Sequence, residues 1–202
     1  MAKQAEVRER ILESAQQHFF QTGFSKVSMD ELALDLGMSK KTVYKHFPGK
    51  ELLLKTIARL VMKRTEKQVK AILNNKDLGF MEKLQNLMQF VALQLSVLSR
   101  PFVLDVQRNA PGLWKEMEKF RREKILGNFG KLFKEGVAKG MFRKDINEEL
   151  LILLYISAIQ GIINPEVLTN LPITPPEAFN SIITVFLEGV LTEKGKKDRR
   201  KS

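Results

Sequence analysis

Val27–Lys50, VSMDELALDLGMSKKTVYKHFPGK, decides how the rest of the chain is read. Ser28 stands before Met29-Asp30-Glu31-Leu32, so its hydroxyl can cap a helix while Glu31 reaches back to the Ser28 amide. Val27 and Leu32 bracket that cap as a hydrophobic staple. Leu32, Ala33 and Leu36 share one face, and Gly37 supplies the residue type best suited to a left-handed C-terminal cap. A second helix starts at once, with Ser39 as N-cap, then Lys40-Lys41-Thr42-Val43-Tyr44-Lys45-His46-Phe47, and Pro48 as terminator. Two short helices joined by a glycine turn make a helix-turn-helix unit. Ala33 is small enough to let the second helix approach the first, and Val43 is the apolar plug expected to pin it there.

The other face of that second helix carries Lys40, Lys41, Thr42, Tyr44 and Lys45, all hydrogen-bond donors, and no acid falls between Met38 and Lys50. An α-helix fits the major groove, where donors near its N-terminus meet base edges and phosphates. Lys40, Lys41 and Lys45 are expected to divide between phosphates and bases, while Thr42 and Tyr44 reach the backbone or a thymine methyl. Ser28 and Lys50 are expected on the flanking phosphates, Lys50 because it opens a helix whose dipole favours an anion. His46 either assists or packs. On spacing and charge alone, the competing reading is a small αα-hairpin with a solvated basic face.

The run Ser39-Lys40-Lys41-Thr42-Val43-Tyr44-Lys45-His46-Phe47-Pro48-Gly49-Lys50-Glu51-Leu52 resembles the recognition-helix signature of TetR/AcrR-type transcriptional regulators. The similarity extends upstream through the Ile11–Phe24 helix and the Gly23-Phe24 pair, and it leaves the chain beyond about residue 55 nearly unconstrained. Gly49 departs mildly from the pattern, which more often has Ser or Asn there, but glycine also serves as an N-cap.

Composition agrees without deciding. The 202 residues suit one or two small domains, and 44% hydrophobic with 28% charged residues is ordinary globular material. Lys and Arg number 34 against 23 Asp and Glu, which points to a polyanionic partner. With no cysteine there is no disulfide, thiolate nucleophile or zinc-thiolate site. The N-terminus lacks the apolar core of a signal peptide, and the longest purely apolar run, Leu150–Ile156, falls far short of the ~20 residues that span a bilayer. A soluble cytoplasmic protein is expected. Two histidines, no Gly-rich phosphate loop after a strand and no H-E-x-x-H argue against an enzyme, a metal site or a bound cofactor.

Taken in order, the pattern is all-α. Val7, Ile11, Ala15 and Phe19 recur at helical spacing from about Gln4 to Thr22, giving a helix that backs the helix-turn-helix in a three-helix head. His18 on it reads as a packed or surface histidine. Lys50 to Asn75 runs without Gly or Pro, a helix about 39 Å long, with Glu66/Lys70 as an i,i+4 pair. Further helices are expected over Phe80–Ser99, Phe102–Arg108 and Leu113–Lys139, the last carrying Gly127, Gly130 and Gly136, which mark a kink or a close helix contact. Leu150–Ile163 is apolar nearly all round, which implies burial on every side and cover from a partner subunit. Residues 164–172 read as a loop, and Thr174-Pro175-Pro176-Glu177 starts the last helix. The domains expected are a DNA-binding head over 1–49, an effector-binding and dimerisation body over 50–193, and a disordered basic tail over 194–202.

The family resemblance implies that the body encloses a small-molecule pocket and that its last two helices pair in a homodimer. Phe90, Leu93, Gln94, Phe102, Trp114, Met117, Phe120 and Tyr155 are the candidate lining, large apolar groups with Gln94 and Tyr155 as polar handles. Such a lining selects a lipophilic effector. The expected whole is a regulator, more a repressor than an activator, that leaves a pseudo-palindromic operator when the effector binds. A constitutive helix-turn-helix binder, or a helical carrier or enzyme for lipophilic compounds, are the alternatives.

Overall fold

The helix signals in the sequence materialise in a computed structural model that describes residues 2–162, 164, 167, 170 and 172–200. Its helices are α1 (Ala2–Thr22), α2 (Met29–Asp35), α3 (Lys40–His46), α4 (Lys50–Asn74), α5 (Phe80–Ser96), α6 (Arg100–Asn109), α7 (Pro111–Ala138), α8 (Glu148–Ile162), α9 (Pro175–Val190) and α10 (Glu193–Arg199). No strand occurs among the described residues, and one isolated antiparallel bridge joins Phe142 to Leu191. No single described helix is long and apolar enough to cross a membrane. The loop expected over 164–172 lies largely outside the described residues.

Two compact units divide the chain, and each is built from more than one segment. The first comprises Met1–Thr65 and Val97–Glu118. Its core gathers Ile11, Ala15 and Phe19 of α1, Leu32 of α2, Val43 of α3 and Leu53 and Ile57 of α4. Phe102 and Val106 of α6 complete that core, so the head does not close at residue 49 as expected. Three helices of 21, 7 and 7 residues offer too little apolar surface to seal themselves.

Local chemistry fixes the helix-turn-helix within this unit. The Glu31 amide donates to Ser28 Oγ at 3.1 Å and the Ser28 amide donates to Glu31 Oε2 at 2.7 Å, a reciprocal capping box. At the far end of α2 the Met38 amide reaches Ala33 O at 2.9 Å and the Gly37 amide reaches Leu34 O at 3.0 Å. That Schellman pattern needs a left-handed residue, and Gly37 provides it at φ 62°. Ser39 Oγ then accepts from the Thr42 amide at 3.1 Å and opens α3.

The second unit comprises Glu66–Ser96 and Lys119–Ser202. α9 packs on α5 and α8, and α10 packs on α5. One cluster holds Phe80, Leu84, Leu132, Phe133, Phe142, Leu151 and Leu187; another holds Ile159, Ala178, Phe179 and Ile182. The glycines in α7 were expected to mark a kink or a close contact, and Gly136 marks the contact. A Cβ there would sit 2.6–2.8 Å from the Phe142 and Phe80 rings.

α8 places Leu151, Ile152, Ile156 and Ile159 in the chain's own core and leaves Leu150, Leu153 and Leu154 exposed, on the side for which cover from a partner subunit is expected. One expectation for this unit needs correction: within the segment expected to be a disordered tail, residues 194–199 lie in helix α10. Thr192 caps that helix, Lys194 Nζ donates to Lys139 O at 2.9 Å, and Arg199 pairs with Glu188 at 3.2 Å. These anchors offset the repulsion among its lysines.

Glu66 of the second unit is held by two lysines. Its Oε1 accepts from Lys124 Nζ at 2.7 Å and from Lys70 Nζ at 2.8 Å. Hydrogen bonding to Lys124, then to Lys70, pulls its carboxyl from the ordinary 4.5 down to about 2. A depressed carboxylate stabilises the fold fully above its unfolded value and loses that contribution as pH falls through the folded one. Thermal melts of Glu66→Gln should therefore lie below wild type at neutral pH. The difference should shrink as pH drops from 4.5 towards about 2.

Candidate nucleic-acid interface

The seven-residue α3 buries one side chain, Val43, and shows nearly all the rest. Lys40, Lys41, Tyr44 and Lys45 are exposed, with Thr42 and His46 half-buried. Among the described residues, neither Lys41 nor Lys45 has an ion-pair partner. Lys40 does: its Nζ lies 2.7 Å from Asp30 Oδ2 of α2, which raises its pKa. Both side chains of that pair are at least half exposed, so it is a weak, solvent-screened surface ion pair. Thr42 Oγ1 lies 2.8 Å from Ser39 Oγ.

Ser28 and Lys50, expected on phosphates, both have intramolecular partners. The Ser28 hydroxyl accepts from Glu31, and the Lys50 ammonium donates to Ser25 O at 3.0 Å and Phe24 O at 3.4 Å. It also lies 5.6 Å from the centre of the Phe24 ring. α1 steadies the back of the unit. His18 and Ser14 both reach Asp35 of α2, at 3.4 and 3.0 Å, and Arg8 covers the Phe47 ring at 5.0 Å.

A group that sequence reasoning missed joins α6 to this unit. Asp105 accepts from the Ser25 amide at 2.7 Å, from the Ser25 hydroxyl at 2.5 Å and from Asn109 Nδ2 at 2.6 Å. Burial lifts the Asp105 pKa, but the Ser25 and Asn109 hydrogen bonds and the Lys50 charge outweigh it, and the net shift is downward. The one signal available was that Asp105 is the sole acid between Glu82 and Glu116.

The eight candidate pocket residues are divided between the units. Phe102 is core in the first unit, where Trp114 and Met117 pack against the same cluster. Phe90, Leu93, Gln94, Phe120 and Tyr155 belong to the second unit. There Leu93 is 60% exposed, and Tyr155 stacks on Phe129 at 4.9 Å and meets the Phe186 ring edge-on at 5.4 Å. Burial pushes the Tyr155 phenol well above its ordinary pKa. Among the described residues, one concavity of about 340 Å³ lies beside Gly79–Glu82 and Lys139, and another of about 280 Å³ between α1 and α4. None of the eight residues lines either. Among the described residues, no cluster of His, Asp and Glu is placed to hold a metal ion.

Residues 11–57 match the profile of the bacterial regulatory proteins, tetR family. A curated relative, the uncharacterized HTH-type transcriptional regulator YvaF of Bacillus subtilis (strain 168), is 24% identical over 188 residues, covering 92% of this chain and 96% of its own. Among solved structures, the fatty acid degradation regulator FadR from Bacillus halodurans superposes with a TM-score of 0.64 at 17% identity, covering 91% of this chain and 95% of its own. A transcriptional regulator from Saccharomonospora viridis, solved in complex with choline, gives 0.67 at 22% identity, covering 94% of this chain and 100% of its own. At such identities the structural likenesses concern the fold. The profile falls on the capped, glycine-jointed pair of helices described above, so residues 11–57 are similar to the tetR family of bacterial regulatory proteins, and over most of its length the chain is similar to an HTH-type transcriptional regulator.

Proposed function

We propose that the protein is a dimeric, ligand-responsive repressor that reads a pseudo-palindromic operator in the cytoplasm and releases it on binding a lipophilic small molecule. The observation that carries the DNA part is α3 itself, pinned by Val43 alone and presenting unpaired Lys41 and Lys45 beside Tyr44. Lys41 and Lys45 contact phosphates and base edges, joined by Lys40 once Asp30 releases it. Thr42 and Tyr44 touch the backbone or a thymine methyl, with His46 behind them. Ser28 and Lys50 mark the flanking phosphates. In the two-part organisation proposed, these contacts lie on residues 1–49 and on Lys50, the first residue beyond them, and effector and partner are met within 50–193.

Selection of randomised duplexes by the protein should recover an inverted repeat with half-sites about one helical turn, or a multiple of it, apart. If each protomer neutralises about four phosphates, log K falls against log salt with a slope near −7. Lys41→Ala, removing one contact per protomer, should bring that slope about two closer to zero. A wild-type slope near zero would sink the electrostatic reading.

The pairing surface proposed is the outer face of α8 and α9. Leu150, Leu153 and Leu154 fall at helical i, i+3 and i+4 spacing with Leu153 59% exposed, and Val185 on α9 is 73% exposed. A second copy covers them in a homodimer. The double variant Leu153→Glu/Val185→Glu should sediment as a monomer and lose operator affinity while keeping its helical circular dichroism.

The effector is proposed to contact Phe90, Leu93, Gln94, Phe120 and Tyr155 of the second unit, with Phe102, Trp114 and Met117 left as core of the first. The two fold relatives named above, a fatty acid degradation regulator and a regulator solved with choline, make fatty acyl compounds and quaternary ammonium cations the first compounds to try. α4 contributes to both units and is the proposed route of coupling. Titrating a binding compound into free and operator-bound protein should show affinities differing by about 5- to 150-fold. Equal affinities would favour the second reading, a constitutive DNA binder, which is supported by the absence of the eight residues from both concavities.

A further inference from the structure

α6 follows the body helix α5 in sequence, yet it is attached to the DNA-binding unit at both of its ends. At its start, the Ser99 amide donates to Phe20 O of α1 at 3.1 Å, and the Phe20 and Phe102 rings meet at 4.7 Å. Towards its end, Asp105 and Asn109 take hold of the turn between α1 and α2. Both Asp105 carboxylate oxygens are used there, Oδ2 by the Ser25 amide and Oδ1 by the Ser25 hydroxyl and Asn109, while Asn109 also reaches Ser25 Oγ at 3.2 Å. The turn is shaped for this approach. Gly23 sits at φ 95°, and a Cβ there would lie 2.9 Å from Asp105 Oδ2. A side chain at residue 23 would be strained and would push the carboxylate away.

Ser25 is also the point where the next helix is caught. Its carbonyl accepts from Lys50, the first residue of α4, while its amide and hydroxyl go to Asp105. One residue thus links α6 to the turn that leads into the α2 cap at Ser28 and to the helix that follows α3. The helix-turn-helix is the chain between those two tethers. We infer that Asp105 is a positioning residue for operator recognition: through Ser25 and Lys50 it sets where the helix-turn-helix begins and ends, and so how α3 is aimed. This rests on the DNA-binding face proposed for α3.

The network is polar and superficial, with Ser25 and Asn109 exposed, whereas the fold of the unit is held by apolar core elsewhere. Its loss should therefore show more in aim than in stability.

The test compares wild type, Asp105→Asn, Ser25→Ala and the double variant on two probes at one salt concentration. The first probe is the duplex that wild type selects from a randomised library, and the second is poly(dI-dC). Asp105→Asn should bind the selected duplex about tenfold more weakly and poly(dI-dC) nearly unchanged, so that the specificity ratio falls. Ser25→Ala should move the ratio the same way by less, because its backbone amide still donates to Asp105. The double variant should be no worse than Asp105→Asn alone. A lowered melting temperature with an unchanged ratio would overturn the inference, since a merely structural link gives that result. Should Asp105→Asn fail to fold, Ser25→Ala and Asn109→Ala decide the matter, and an unchanged ratio in both overturns it. If wild type selects no duplex, the DNA-binding reading itself fails and takes the inference with it.

Discussion

A helix of seven residues cannot hold itself together in water, because nucleation costs more than so few hydrogen bonds return. α3 exists because Val43 is driven completely into the core of the first unit and because Ser39 and the Gly37 turn fix its start. That single apolar anchor leaves the rest of the helix free to be polar. Seating α3 on one narrow contact gives a rod whose orientation depends on its neighbours, so the capping box of α2, the α1 contacts to Asp35 and the first turn of α4 all bear on how it is held.

Charge in this unit is divided by role. Lys50 is drawn in by two backbone carbonyls, Lys40 is matched by Asp30 across the turn, and Lys41 and Lys45 are left to solvent. An exposed, unpaired lysine can neutralise a phosphate without first giving up an internal partner. A paired one must exchange, at a small cost when the pair is as exposed as Lys40 and Asp30. Three acids of the unit are satisfied internally: Glu31 by the Ser28 cap, Asp35 by Ser14 and His18, and Asp105 by Ser25 and Asn109. Hydrogen bonds from these partners lower the pKa of Glu31 and of Asp35.

How much could be read beforehand follows from the range over which each feature is encoded. Caps and turns are written within three or four residues, and Ser28/Glu31, Gly37, Ser39 and Thr174/Glu177 were all legible for that reason. The helices of the body were legible from periodicity, with ends displaced by a few residues. The extent of the head was not, because its core borrows Phe102 and Val106 from a helix that comes after α5 in sequence. The same fact misled the choice of pocket lining: an aromatic at helical spacing marks burial, and Phe102, Trp114 and Met117 are spent on the head. Asp105 was invisible because its partner is 80 residues away. For α8, an apolar composition says how much surface must be hidden, not whether one chain hides it.

That last point bears on assembly. Beyond Glu149 in the first turn, the residues of α8 left outside by the chain's own core are Leu150, Leu153, Leu154, Ser157 and Gly161, which fall along one stripe of the helix with the large side chains at its start and the small ones towards its end. Leucines supply apolar area, and serine and glycine let a second backbone come close, so the stripe has the composition of a helix seam rather than of a solvated face. On the function proposed, a monomer presenting one α3 would read half a site and hold it mainly through phosphates, which carry little sequence information. Covering the α8 stripe with another copy would double the base contacts and impose a two-fold axis on them. The proposed dimer would thus join the apolar surplus of the second unit to the shortness of α3 in the first: specificity too small for a single head would be recovered by symmetry.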